Sequence, residues 1–242
     1  MYKFINDKLK LTCFKLKYYI TFFTPPGTTV NDVLAACLAG ALRLYLIEEA
    51  SKDPDDIQIA ISVNTRSPAV LSRNSIPLEN HSTGMLFNLP VGKDNPESRL
   101  LETKRRMDNL KASTDWLLFG WMFSNIIGNL PNFIAKFCFY SLNRHCALVL
   151  SNVPGPLNEL EITSNKVETI IPWPPLISDT SMTVSVFSYA GYVRVALLTD
   201  EAVLSQPRKL TERFLQEVKE MYESIVCKSL DKDFVKKDDI LF

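Results

Sequence analysis

The stretch Cys146–Pro156, CALVLSNVPGP, constrains this chain most. Its Ala147–Leu150 run is apolar without polar alternation, which suits a strand buried on both faces and therefore central in a sheet. The character then changes abruptly. Ser151 and Asn152 put a hydroxyl and an amide at the strand's end, and Val153-Pro154-Gly155-Pro156 has proline and glycine where a type II turn wants them. Two readings of Ser151 and Asn152 stay open: they satisfy the backbone of their own turn, or they serve a site at the buried edge.

Helical and strand patterns alternate around that run. Pro25-Pro26-Gly27 breaks the chain, and Thr28 or Thr29 then offers an N-cap with Asp32 three residues past Thr29, a form of capping box. Leu34, Cys37, Leu38, Ala41, Leu42 and Tyr45 follow at helical spacing as a core face, with Arg43, Glu48 and Glu49 off it. Ile57–Val63 alternates as a strand, and Ser67–Glu79 is a loop that borders a channel or crosses the surface. Gly84–Val91 is a further strand. Asn95-Pro96-Glu97 opens a helix with a cap, proline at the first position and an early acid, and Leu100, Thr103, Met107 and Leu110 mark its buried stripe.

Lys8–Cys13 and Val167–Pro172 read as strands, and Met182–Tyr189 with Tyr192–Leu198 as a hairpin about Ala190-Gly191. Pro207 opens a last helix, with Leu210, Phe214, Val218, Met221 and Ile225 as its apolar stripe. The expectation is one α/β domain, a mixed sheet with flanking helices and an antiparallel C-terminal hairpin. Residues 1–27 form an N-terminal segment, 28–228 the domain, and 229–242 a charged tail.

The 27 basic and 27 acidic residues set up no field for nucleic acid. Cysteines 13, 37, 138, 146 and 227 have no CxxC or Cys/His ligand spacing, so they read as reduced and buried, which favours a cytosol-facing fold without a metal. No P-loop, GxGxxG or GxSxG motif occurs. The two histidines, His81 and His145, each stand alone near an element end, a setting that suits structure more than catalysis.

Trp116–Tyr140 is the most apolar region, yet Asn125, Asn129, Pro131, Asn132 and Lys136 interrupt it well short of the ~18 residues a span needs. It is either a pair of short core helices or a pair whose outer faces meet a membrane or an apolar substrate. The lysine- and aromatic-rich Met1–Phe23 is likewise a solvated strand or tail, or a segment lying on an anionic membrane.

SNVPGP at Ser151–Pro156, preceded by Thr29-Val30-Asn31-Asp32-Val33-Leu34-Ala35-Ala36, resembles the C-terminal domain of the wax ester synthase/diacylglycerol acyltransferase family. Ile61–Arg66, Gly84–Gly92 and Tyr192–Val195 fall in the family's order, and the likeness covers roughly residues 28 to 226. It implies one half of a chloramphenicol-acetyltransferase-like fold, in an O-acyltransferase that esterifies a long-chain alcohol or diacylglycerol with acyl-CoA as substrate and no cofactor. The family's catalytic HHxxxDG belongs to the other half and does not occur here, so the chain alone is expected to be inactive. Asn31, Asp32, Ser151 and Asn152 would line the shared cleft; an N-terminal half and a peripheral membrane surface, of endoplasmic reticulum, lipid droplet or plasma membrane, would be the partners. The alternative is a lipid- or partner-binding module with no chemistry.

Overall fold

The computed structural model describes residues 9–17, 25, 27–50, 53–64, 66, 82–174, 176, 180–204 and 206–230. His81, the Ser67–Glu79 loop and residues 231–242 lie outside the described residues. Six strands form one mixed sheet: β1 (Leu9–Lys17), β2 (Ile57–Asn64), β3 (Ser82–Leu89), β4 (Leu148–Pro154), β7 (Met182–Tyr189) and β8 (Tyr192–Asp200), in the order β1-β8-β7-β4-β2-β3. A separate small hairpin pairs β5 (Glu161–Ile162) with β6 (Asn165–Lys166).

The organising run is where its pattern puts it. β4 is interior, parallel to both β2 and β7, and Leu148, Val149 and Leu150 are buried. β7 and β8 form the expected antiparallel hairpin, with Ala190 at φ 47° and Gly191 at φ 80°, the left-handed pair that a two-residue turn requires. The sheet also draws its edge strand from before residue 28. All nine residues of β1 pair with β8, from Leu9 opposite Asp200 to Lys17 opposite Tyr192.

Two strand-level expectations are corrected. Val153–Pro156 is not a type II turn, because pairing with β7 continues to Pro154 opposite Ser188 and Gly155 is not left-handed. Gly155 is needed for closeness instead: a Cβ there would collide with the Ser188 carbonyl oxygen and the Phe187 ring. Val167–Pro172 joins no ladder. It lies as an extended strap on the sheet's second face, where the Tyr189 hydroxyl accepts from Leu160 N and donates to the Val167 carbonyl (2.8 and 2.6 Å). Arg194 Nη2 donates to the Glu168 carbonyl at 3.1 Å.

Helices α1 (Val30–Ala50), α2 (Pro96–Ala112) and α5 (Pro207–Leu230) cover the first face. Both predicted caps are present. Asn95 Oδ1 accepts from Glu97 N and Ser98 N ahead of α2. At α1, Thr29 N donates to Asp32 Oδ2 at 2.7 Å and Asp32 N to Thr29 Oγ1 at 3.3 Å, a reciprocal box. By length and composition Val30–Glu49 is apolar enough to cross a membrane, but here it packs on α2 and α5 as the central core helix. Residues 32–42 are buried around the whole circumference, where the sequence pattern predicts one buried face.

One polar contact joins these three helices. Arg99, on the buried stripe of α2, donates Nε to the Ala36 carbonyl at 3.0 Å, Nη1 to the Lys93 and Asp94 carbonyls at 3.0 Å, and Nη2 to Glu217 of α5. The pair sits against Gly40 of α1, where a Cβ would fall on both charged groups. On the outer side of α2, Arg106 reaches Asp56, Glu102 and the Asn88 carbonyl, fastening the helix to the β2–β3 hairpin.

The segment 113–147 departs from a buried pair. It forms α3 (Asp115–Asn125), a 3-10 turn at Ile127–Asn129 and α4 (Asn132–Asn143), and much of its apolar surface faces outward. The packed-core reading therefore fails for the outer faces. Cys37 and Cys146 are buried free thiols and Cys138 is half-buried.

Two measurements check this account. Burial pushes the Glu217 carboxyl up to about 7 from its ordinary 4.5, Arg99 pulls it down, and Glu220 adds to the rise. The native state then holds this proton more tightly than the unfolded chain, so the stabilisation is full below about pH 4.5 and is lost as pH rises through about 7. The melting temperature should fall across that window, and Glu217→Gln should flatten the slope. Asp32→Ala, which removes half of the α1 capping box, should lower stability by about 0.5–2 kcal/mol, read as a lower denaturant midpoint at unchanged m-value.

Candidate functional site

β2, β4 and β7 run parallel, and the crevice beyond the carboxyl ends of parallel strands is where open α/β sheets bind ligands. A cavity of about 630 Å³ lies there. Its walls come from Ile61–Asn64 of β2, Leu150, Asn152 and Pro154 of β4, and Val186 and Ser188 of β7; Met85, Val193, Trp116 and the last turn of α2 complete them. Strand alternation explains the lining. Leu148 and Leu150 join the helix-side core, and the same face continues at Asn152 and Pro154.

The first turn of α1 closes the rim with Val30 and Asn31. Asn152 Nδ2 donates to Asn31 Oδ1, joining the end of the central strand to the start of the central helix. The Asn31 amide keeps its own donors and Asn152 its carbonyl oxygen as groups a ligand can use. Lys111, at the end of α2, is the charged residue among those that line the cavity, with its Nζ 3.8 Å from Asp32 Oδ1. That oxygen is buried and accepts no hydrogen bond.

The four residues singled out from sequence thus separate. Asn31 and Asn152 meet at the rim. Asp32 is 1% exposed, serves the cap and does not line the cavity. Ser151 alternates to the sheet's other face, where it accepts a hydrogen bond from Ser62 Oγ at 3.3 Å. His145 is exposed ahead of β4, and Leu148 to Asn152 alone spans about 13 Å, so it stands at the strand's opposite end.

Sequence reasoning passes over Lys111, and it places Met85 and Trp116 only within longer segments, without assigning either to a site. The available signal was the α2 stripe, since Lys111 continues Leu100, Thr103 and Met107 by one helical step. Among the described residues no group of His, Cys, Asp and Glu is disposed to hold a metal.

Residues 78–222 match the family model of the WS/DGAT C-terminal domain. A probable diacylglycerol O-acyltransferase, tgs1 of Mycobacterium tuberculosis, is 29% identical over 187 residues, covering 75% of this chain and 39% of the relative. The O-acyltransferase WSD of Acinetobacter baylyi is 27% identical over 217 residues, covering 85% and 44%. Among solved structures, the wax ester synthase/diacylglycerol acyltransferase from Marinobacter aquaeolei superposes with a TM-score of 0.66 at 19% identity, over 90% of this chain and 49% of that one. The epimerization domain of tyrocidine synthetase B superposes with a TM-score of 0.59 at 12% identity. The chain spans less than half the length of each of these relatives. Its mixed sheet and flanking helices are those of a chloramphenicol-acetyltransferase-like half. The matched residues carry four of the six sheet strands, the amide Asn152 and the Arg99–Glu217 pair, and the chain belongs to the wax ester synthase/diacylglycerol acyltransferase C-terminal domain family.

Proposed function

We propose that this chain is the C-terminal half of an O-acyltransferase that esterifies a long-chain alcohol or diacylglycerol with acyl-CoA, and that it works with a half carrying HHxxxDG. The observation that carries the reading is the cavity at the strand ends, apolar in its walls and rimmed by the Asn31–Asn152 amides, in a chain of this family. Ile61, Val63, Met85, Met107, Leu110, Trp116 and Val186 offer an alkyl chain a dry wall. Transfer of that chain out of water drives binding at roughly 0.8 kcal/mol per buried methylene.

The rim amides supply direction. An amide donor from Asn31 meets a carbonyl or hydroxyl oxygen, and the Asn152 carbonyl accepts from a hydroxyl. Held in place before the reaction, such groups orient the thioester carbonyl or the acceptor hydroxyl rather than perform the proton transfer. The proton moves from the acceptor hydroxyl to the histidine of the other half, the oxygen attacks the thioester carbonyl, and the thiolate of CoA leaves. A lipid-binding module without chemistry would use the same cavity.

The isolated chain should transfer no acyl group from acyl-CoA to long-chain alcohol or diacylglycerol above background, since loss of a general base alone costs about 10²–10⁴ in rate. Adding an HHxxxDG half should restore turnover, and Asn31→Ala or Asn152→Ala should then reduce it more than Ser151→Ala. Alkyl-chain binding that persists while no added half restores turnover would leave the binding module. Activity of the isolated chain that vanishes on changing His81 or His145 would overturn both readings.

A further inference from the structure

The cavity at the strand ends runs across the sheet. Its wall includes Val193 of β8 on one side and Met85 of β3 on the other, with β7, β4 and β2 between them. Those outer strands stand four spacings apart, roughly 19 Å at about 4.8 Å per spacing. The contact between Asn31 and Asn152 stands at β4, two spacings from each side.

Two apolar arms leave that centre. Toward β3 the wall is Ile61, Val63, Met85, Met107, Leu110 and Trp116. Arg106 ties α2 to the β2–β3 hairpin and α3 rests on β3, which sets their side chains on that side. Toward β8 the wall is Val186 and Val193. The other polar lining groups have partners within the fold: Ser62 Oγ donates to Ser151 Oγ, Asn64 Oδ1 accepts from Arg66 N, and Ser188 Oγ accepts from Gly155 N. Lys111 is the charged member of the lining, and Asp32 Oδ1 answers it from 3.8 Å. The lining therefore calls for no charge on the ligand.

A buried ester oxygen without a partner is costly, and an alkyl chain left in water forgoes the gain of burial. Both demands are met by a molecule with its oxygens at the centre and a chain along each arm. A long chain with its polar group at the tip either leaves one arm to water or presses that group onto the Met85 or Val193 wall.

We propose that the cavity takes an uncharged ester by its middle, with the ester group at Asn31 and Asn152, one alkyl chain toward β3 and the other toward β8, so that both chains of the ester lie along this one half. The inference rests on the reading of the cavity as an alkyl-chain site.

Isomeric esters isolate the position of the polar group. Octyl octanoate and methyl pentadecanoate share one formula and differ in where the ester sits, and each is titrated from cyclodextrin into the full chain by calorimetry. Octyl octanoate should bind more tightly by about tenfold, on the scale of one buried polar group left without a partner. Asn31→Ala/Asn152→Ala should abolish that preference by weakening octyl octanoate to the level of its isomer, and Asn31→Ala alone serves if the double variant loses the wild-type melting transition. Val193→Phe, which fills the arm toward β8, should also weaken octyl octanoate, with Ser188→Leu in its place if Val193→Phe does not fold. Equal affinity of the wild type for the two isomers overturns the proposal and leaves the alkyl-chain reading standing, as does wild-type affinity for octyl octanoate in the folded arm-filling variant. If neither isomer binds the folded wild type, the proposal and that reading fall together.

Discussion

Arg99 and Glu217 are buried together against the bare backbone of Gly40, and the rest of the helical layer is arranged around that contact. Removing two charges from water is costly, so such a pair persists only where further hydrogen bonds complete it. Three backbone carbonyls do so for the guanidinium, one on α1 and two in the turn before α2. Leucines in their place would hold helices together at many rotations. A fork of directed donors holds them at one, and Gly40 is the position at which α1 approaches closely enough to be included.

The site inherits that orientation. α1 is buried through residues 32–42, so it cannot roll, and its first turn is delivered to the carboxyl ends of three parallel strands. The Asn31–Asn152 contact is then a consequence of the helix position more than its cause. Neutral amides at a rim 121 residues apart in sequence contribute little stability by themselves, but they sit where helix and sheet have already been fixed.

Much of the scaffold was legible because its signals are local. The apolar run at Ala147–Leu150 gave the interior strand, Asn95-Pro96-Glu97 the start of α2, and Ala190-Gly191 the hairpin, each from residues within one element. What escaped depends on distant partners. Arg99 looks like an ordinary helix cation until Glu217 and Gly40 are brought to it, and Val153–Pro156 has turn chemistry that the ladder with β7 overrides. Part of the cavity rim was legible through the family likeness: SNVPGP and Asn31-Asp32 mark the two chain segments that meet there. Which of those residues enter the cavity is set by strand parity and the cap, which send Ser151 to the opposite face and keep Asp32 within the helix turn.

The pairing of β1 with β8 links the first described residue to a strand near the other end of the chain, across nine positions. A chain trimmed to begin at residue 28 would keep every residue of the family match and still lose that strand. β8 would then present a row of unpaired N–H and C=O groups, and its buried Val193, Val195 and Leu197 would lose the strand that flanks them. Open edges of that kind recruit strands from other molecules. Strand β1 thus covers an edge that a domain boundary drawn by family likeness would leave open to edge-to-edge pairing.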